Sequence, residues 1–231
     1  MNTRNQLILV HSGVVMAVVI FVGSFVMTGW LPPPAPSLTP NEVAAIFTPD
    51  NYMLRIGVLL MCLFSPTVVS FSAVIATQLK RIEGKHHVMA NLQYCSASCG
   101  LALFYVPGFI WLAISYRQGI DPGLIVTMND LAWFMFLAGA GPTIVQWLAI
   151  GMAILSDKSD DPIFPRWLAF FNFWLAIGAF AGQVIPFVKT GPFAYNGLFG
   201  FWLIATVFFA WVAGQYWFTL KAVKKQATAA V

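Results

Sequence analysis

Four charged side chains sit at the ends of long apolar runs, where a membrane-embedded site could use them: Arg55, Arg117, Asp130 and Lys189. Tyr52, Tyr116, Asn129 and Tyr195 fall at similar depth. One acid among several bases could form an ion pair at the mouth of a pocket, or serve as the acid or base of an intramembrane reaction on a lipophilic substrate. The plainer arrangement has Asp130 near the N-terminus of its helix, favourable to the helix dipole, with Arg55 and Arg117 reaching out to headgroups. Arg55 is the deepest of these charges.

Deeper still are uncharged polar and aromatic side chains. Gln146 lies about ten residues, or ~15 Å at the helical rise, from the inner end of its segment. Asn172 sits in the next one, and Asn91, Gln93 and Tyr94 precede both. A buried amide must find a partner, so these residues are expected either to glue helices together or to line a polar spot in a cavity. Trp147, Trp174 and Trp211 lie deep in their segments and are candidates for helix packing or for the wall of an apolar pocket. Arg55, Arg117, Asp130, Gln146, Trp147, Asn172 and Trp174 are therefore the candidate ligand contacts.

Metal and cofactor chemistry finds little support. Cys95 and Cys99 share a helix face without a nearby His or a second pair, a poor metal site. They belong to a small-residue run, Cys95–Gly100, in which Ser96 and Gly100 have the spacing that lets helix backbones approach. Of His11, His86 and His87, only His11 falls inside an apolar segment, which argues against bis-histidine haem. No H-x-x-x-H pattern occurs, and the one E-x-x-H spacing, Glu83 to His86, lies between apolar segments rather than within one, against a di-iron centre. No segment carries a deep lysine for a retinal Schiff base. No cofactor, metal or disulfide is expected.

The elements that must position these residues are unusually apolar. Of 231 residues, 59% are hydrophobic and 9% charged, with a mean hydropathy of +0.79. A soluble domain carries roughly 25% charge, and a bilayer core needs ~20 apolar residues per helix. The chain reads as one transmembrane domain of six spans, at about 7–29, 50–79, 89–116, 128–156, 165–188 and 196–221. The first is longer than a signal-peptide core and lacks a small-residue cleavage site after it, so it reads as a retained helix. The net charge of +4 is not a nucleic-acid signal, because the basic residues sit in short loops. Arg4, Lys80, Arg81, Lys85, Lys158, Arg166, Lys221, Lys224 and Lys225 fall at one end of the spans, against Arg55, Arg117 and Lys189 at the other. The positive-inside rule then places both termini in the cytoplasm.

Two further features concern the outer end and the middle. Residues 31–40 begin as a polyproline-type stretch. Thr39-Pro40-Asn41-Glu42 then reads as a capping box that opens a short amphipathic helix over 40–47, lying on the outer surface as a connector or a lid. Thr48-Pro49 repeats that logic to open the second span. A shift of 76 residues lays span 2 on span 4, aligning Ser65-Pro66-Thr67 with Gly141-Pro142-Thr143. If this is a duplication, it makes parallel repeats. Each proline should kink its helix, with Ser65, Thr67 and Thr143 satisfying the freed carbonyls.

Several strings, Asn129-Asp130-Leu131-Ala132-Trp133, Gly141-Pro142-Thr143-Ile144-Val145-Gln146, Phe164-Pro165-Arg166-Trp167 and Lys189-Thr190-Gly191-Pro192-Phe193, together with Leu31–Pro34, resemble a group of bacterial multi-pass membrane proteins. The resemblance covers most of the chain and implies a bacterial inner membrane. It carries no activity or site. The residues themselves point first to binding or transport of a hydrophobic small molecule or lipid, with membrane lipids as surroundings. The alternatives are an accessory subunit with a membrane-protein partner and, third, an intramembrane enzyme using Asp130.

Overall fold

A computed structural model describes residues 3–229, and every described element is helical. Six helices are long and apolar enough to cross a bilayer: α1 (Thr3–Met27), α3 (Tyr52–Glu83), α4 (Val88–Tyr116), α5 (Pro122–Ser156), α6 (Arg166–Phe187) and α7 (Leu198–Thr228). The short α2 (Pro40–Ala44) lies between α1 and α3. Helices are what such a sequence must form. In hydrocarbon no water satisfies backbone N–H and C=O groups, so each span has to satisfy its own. The chain is a multi-pass membrane protein.

The spans stand in a ring in chain order, each packed on the next, and α7 closes back onto α1. Within the ring α3 also touches α5 and α7 across the middle. Both termini lie at one end, the terminal face. The opposite end, the loop face, carries the 28–51 connection.

Three details at the helix starts differ from the sequence reading. The capping box at Thr39 is present: the Thr39 N–H and hydroxyl both donate to Glu42 Oε2 at 2.7 Å. The regular helix, however, stops at Ala44, and Ile46 and Phe47 continue as tighter turns. Thr48-Pro49 does not open α3. Asn51 does, accepting from the Leu54 N–H at 3.2 Å, while Thr48 to Asn51 is a β-turn with proline in its preferred second position. The fourth span begins six residues earlier than expected, because Asp121 caps it by accepting from the Leu124 N–H and Pro122 occupies its first position. Asp130 is therefore two turns inside α5, not at its dipole end.

Pro66 and Pro142 interrupt their helices, whereas α4 runs through Pro107 unbroken. Pro66 lacks the N–H that would bond the Cys62 carbonyl, and the Ser65 hydroxyl donates to that oxygen instead at 3.1 Å. Thr67 donates to the Phe64 carbonyl at 2.6 Å. In α5 the break before Pro142 follows a π-helical turn, Phe134–Ala138. The Ala138 carbonyl that Pro142 frees is satisfied not by Thr143 but by the Gln183 amide of α6, at 2.7 Å.

Polar connections fasten the terminal face. Gln78 of α3 donates to Gln6 of α1 at 2.6 Å and to Gln226 of α7 at 2.8 Å. Glu83 accepts from the Met89 and Ala90 N–H groups, both at 2.8 Å, and so caps the start of α4. Asp157 organises the α5–α6 loop. It accepts from the Ser159 N–H and hydroxyl and from the Ile163 N–H at 3.0 Å. Partial burial pushes its carboxyl up, but these hydrogen bonds and the charge of Lys225 outweigh that and hold it below its ordinary value. A depressed folded value means the loop gains stability above the unfolded value, about 3.9, and loses it as pH falls through the folded one. Asp157→Asn at pH 7 should therefore lower the protection factors of the Ser159 and Ile163 amides, and so should lowering the pH through the folded value in the native protein, once the slower intrinsic exchange at low pH is divided out. Unchanged exchange in the variant would show that the loop is held by other contacts.

Candidate functional site

At mid-bundle the six spans do not close on one another. They leave between them a partly open cavity of about 90 Å³, to which every span contributes. Its wall is formed by Ile20 and Phe25 of α1, Val68 of α3, Gly100 and Phe104 of α4, Phe136 and Ala140 of α5, Ala179 of α6, and Phe201 and Phe208 of α7, among others. The sequence makes space here in two ways. The break at 139–140 and the π-helical turn before it interrupt the regular course of α5 beside the cavity. On α4 the small residues Ala97 and Gly100 leave the wall thin. A Cβ at Gly100 would meet only the Thr143 hydroxyl, at 3.9 Å.

The floor, on the terminal side, is an amide and indole layer. Gln146 donates to the Ser72 hydroxyl at 3.1 Å, and Gln93 donates to the Ser72 carbonyl at 2.9 Å, joining α5, α4 and α3. Trp147 stacks on Trp211, with ring centroids 5.6 Å apart, and Phe71 meets Trp211 edge-on at 5.9 Å. The Trp211 N–H donates to Asn172 Oδ1 at 3.0 Å, and the Asn172 amide donates to the Leu168 carbonyl at 2.8 Å and faces Gln215 Oε1 at 3.4 Å. These amides are all buried. Gln146, Trp147 and Trp211 border the cavity directly, with Thr143 the one hydroxyl beside them. The Trp147 N–H is buried without an acceptor.

The roof, toward the loop face, is aromatic. Trp30, Trp111 and Trp133 pack mutually with centroids 4.7–5.2 Å apart, and Phe136 joins Trp111 and Trp133 to the cavity wall. The Trp111 N–H donates to Asn129 Oδ1 at 3.1 Å. Tyr195, from the α6–α7 loop, stacks on Trp133 at 5.5 Å and donates to Asp130 Oδ1 at 3.4 Å. Burial pushes the Tyr195 phenol well above its ordinary value, and the Asp130 carboxylate beside it pushes the same way. Lys189 lies close enough to act on Asp130 electrostatically.

Of the residues singled out by sequence, Gln146 and Trp147 reach the cavity. Asn172 stands one contact behind it, holding Trp211. Asp130 is in the roof, paired with Tyr195 rather than with an arginine. Arg55 bends back over the Tyr52 ring and donates to the Pro49 carbonyl at 3.0 Å, which ties the start of α3 to its own loop. Arg117 ends α4 and is exposed. Trp174 is 71% exposed on α6, in line with Phe170 and Ile177, so it faces outward and lines no pocket. Ser72, Gln215 and the phenylalanines of the wall were not singled out from sequence. The prolines signalled only kinks at this level, and the run at Cys95–Gly100 was expected to form a close helix contact, whereas Gly100 in fact faces the cavity. Among the described residues, no three of His, Cys, Asp and Glu gather as metal ligands would.

Fold and site define a six-span membrane protein with a central, largely apolar cavity. No family model, curated protein or solved structure matches the chain.

Proposed function

We propose that this protein binds a hydrophobic small molecule or lipid in its central cavity and passes it between membrane and protein. The cavity at the meeting point of all six spans is the observation that carries this reading. Apolar cavities of such size stay dry and accept apolar guests. The described spans offer no deep carboxylate at the cavity wall of the kind that ion- or proton-coupled transport uses. The charge distribution supports termini in the cytoplasm, and the sequence resemblance supports a bacterial inner membrane.

Gly100→Leu tests the reading. Its side chain would grow into open space rather than against a neighbour. Helix propensity alone should raise stability by about 0.5–1 kcal/mol. Native mass spectrometry of protein gently extracted from its host membrane is expected to show a reproducible small-molecule or lipid adduct on the native chain. The adduct should be lost from Gly100→Leu, with thermal stability maintained or raised. An adduct retained by a stable variant would remove the cavity as the binding site.

A second reading, as a subunit of a larger membrane complex, is favoured by the outward face of α4. Cys95, Ser98, Cys99 and Ala102 are all exposed there, and small residues allow another helix to approach closely. A reproducible second polypeptide in the same spectra, lost when Ser98 and Ala102 are both replaced by leucine, would support it.

A further inference from the structure

We infer that the cavity is loaded sideways from the bilayer, and that its guest is a single hydrocarbon chain of a membrane lipid. This rests on the cavity-binding reading and adds the route and the guest class. The ring of spans is not equally tight all round. α7 packs closely along residues 3–20 of α1 but not along Phe21–Met27, which leans on α3 instead. Every other neighbouring pair keeps close packing in the loop-face half. A seam therefore runs between α1 and α7 in that half, and only side chains close it. Phe25 meets Phe201 edge-on at 5.3 Å, and Phe21 meets Phe209 at 5.9 Å. Phe25, Phe201 and Phe209 are also cavity wall, so along this seam one layer of rings lies between the cavity and lipid. Phe21 is 42% exposed on the lipid side.

Two physical points make the seam a route. First, backbone-to-backbone packing must move whole helices to open, whereas rings open by rotamer changes, which occur on far shorter timescales. Second, size selects the guest. An engineered apolar cavity of about 150 Å³ takes a benzene ring, so a space of about 90 Å³ admits a stretch of a flexible, unbranched chain, the rest of which stays in the seam and the bilayer, rather than a ring system. The surrounding solvent supplies such chains at very high concentration.

The test uses the full chain in lipid nanodiscs containing a phospholipid with a diazirine at mid-chain. Cys62→Ala, Cys95→Ser and Cys99→Ser clear the native thiols. Phe21→Cys and Phe209→Cys then place one thiol on each side of the seam, to be bridged by a short, reducible bis-thiosulfonate reagent. Before bridging, photolysis is expected to label the inward-facing Ala140 and Gln146 of α5 and Phe201 of α7, which are buried and line the cavity. Bridging should reduce that labelling to background, and reduction should restore it, while labelling around Trp174 on the outer face stays constant. Cavity labelling that persists under the bridge overturns the seam as the route and leaves the cavity reading standing. Absence of cavity labelling in the unbridged protein overturns both.

Discussion

Trp211→Ala is expected to be among the most damaging single changes to this bundle, costing about 2–3 kcal/mol, somewhat below the ~3–5 kcal/mol of tryptophan-to-alanine changes in soluble cores. Part of the soluble-protein cost is transfer from water, and that part falls away where lipid is the alternative surrounding. Lost packing remains: Trp211 is 1% exposed and holds Trp147, Phe71 and Asn172 in one layer. Asn172 Oδ1 would also lose its donor in a place that water cannot reach. Trp211→Phe separates the two contributions. It keeps ring contacts with Trp147 and Phe71 and removes only the N–H, so a loss of about 1–2 kcal/mol is expected from the orphaned acceptor. Combining it with Asn172→Leu should cost less than the two single changes together, because the two side chains share one hydrogen bond. The measurement is the temperature at which half of the protein stays monodisperse in mild detergent. Wild-type stability in Trp211→Ala would show that this layer does not hold α5, α6 and α7 together.

The architecture was legible in the sequence because its cause is one-dimensional. Runs of apolar residues long enough to span, separated by charged loops, leave the backbone no alternative to helix. The kinks were legible for a similar reason, since a proline removes its own donor wherever it stands. What occupies the freed acceptor was not. The Ala138 carbonyl finds Gln183 from the next helix, forty-five positions on, and no local pattern announces that pairing. The side chains' facing was equally hidden. In a soluble protein an apolar residue deep in a helix turns inward, but here both faces are apolar. Trp147 and Trp174 look alike in sequence, yet one is core and the other meets lipid. Polar side chains within the spans were a better guide, because hydrocarbon cannot satisfy them: Gln93, Gln146 and Asn172 turned inward, although Asn91 and Tyr94, nearer the end of α4, are exposed. Charges at the ends were a poorer one. Arg55 found its partner in its own loop, and the overlooked start of α5 at Asp121-Pro122 moved Asp130 from a helix end into the roof. The cavity depends on how six bent helices fail to meet, a property of the assembled ring.

In the loop-face half α1 is held by its close contact with α3, and Gly57→Leu is expected to break it. Gly57 of α3 and Gly23 of α1 face each other with their backbones in touch. A Cβ on Gly23 would lie 2.7 Å from the Gly57 carbonyl oxygen, and one on Gly57 would run into the Gly23 carbonyl oxygen and come within 2.9 Å of Met27 Cβ. A backbone carbonyl cannot swing aside as a side-chain end can, so the helices must part. Overpacking of this kind costs about 1–3 kcal/mol for a small increment, the range expected for Gly57→Ala, and the larger leucine should exceed it. Gly141→Ala is the matched control, since nothing lies within 4 Å of its added carbon. The consequence should reach beyond stability. Phe21–Met27 has its close packing on α3, not on α7, so pushing α1 off Gly57 also shifts Phe21 and Phe25, the rings that close the seam. Gly57→Ala, which should still fold, is therefore expected to raise labelling of the cavity by the mid-chain diazirine lipid at short exposure, whereas Gly141→Ala should leave it unchanged. Equal labelling in both variants, with Gly57→Ala clearly destabilised, would mean that the position of α1 does not govern entry.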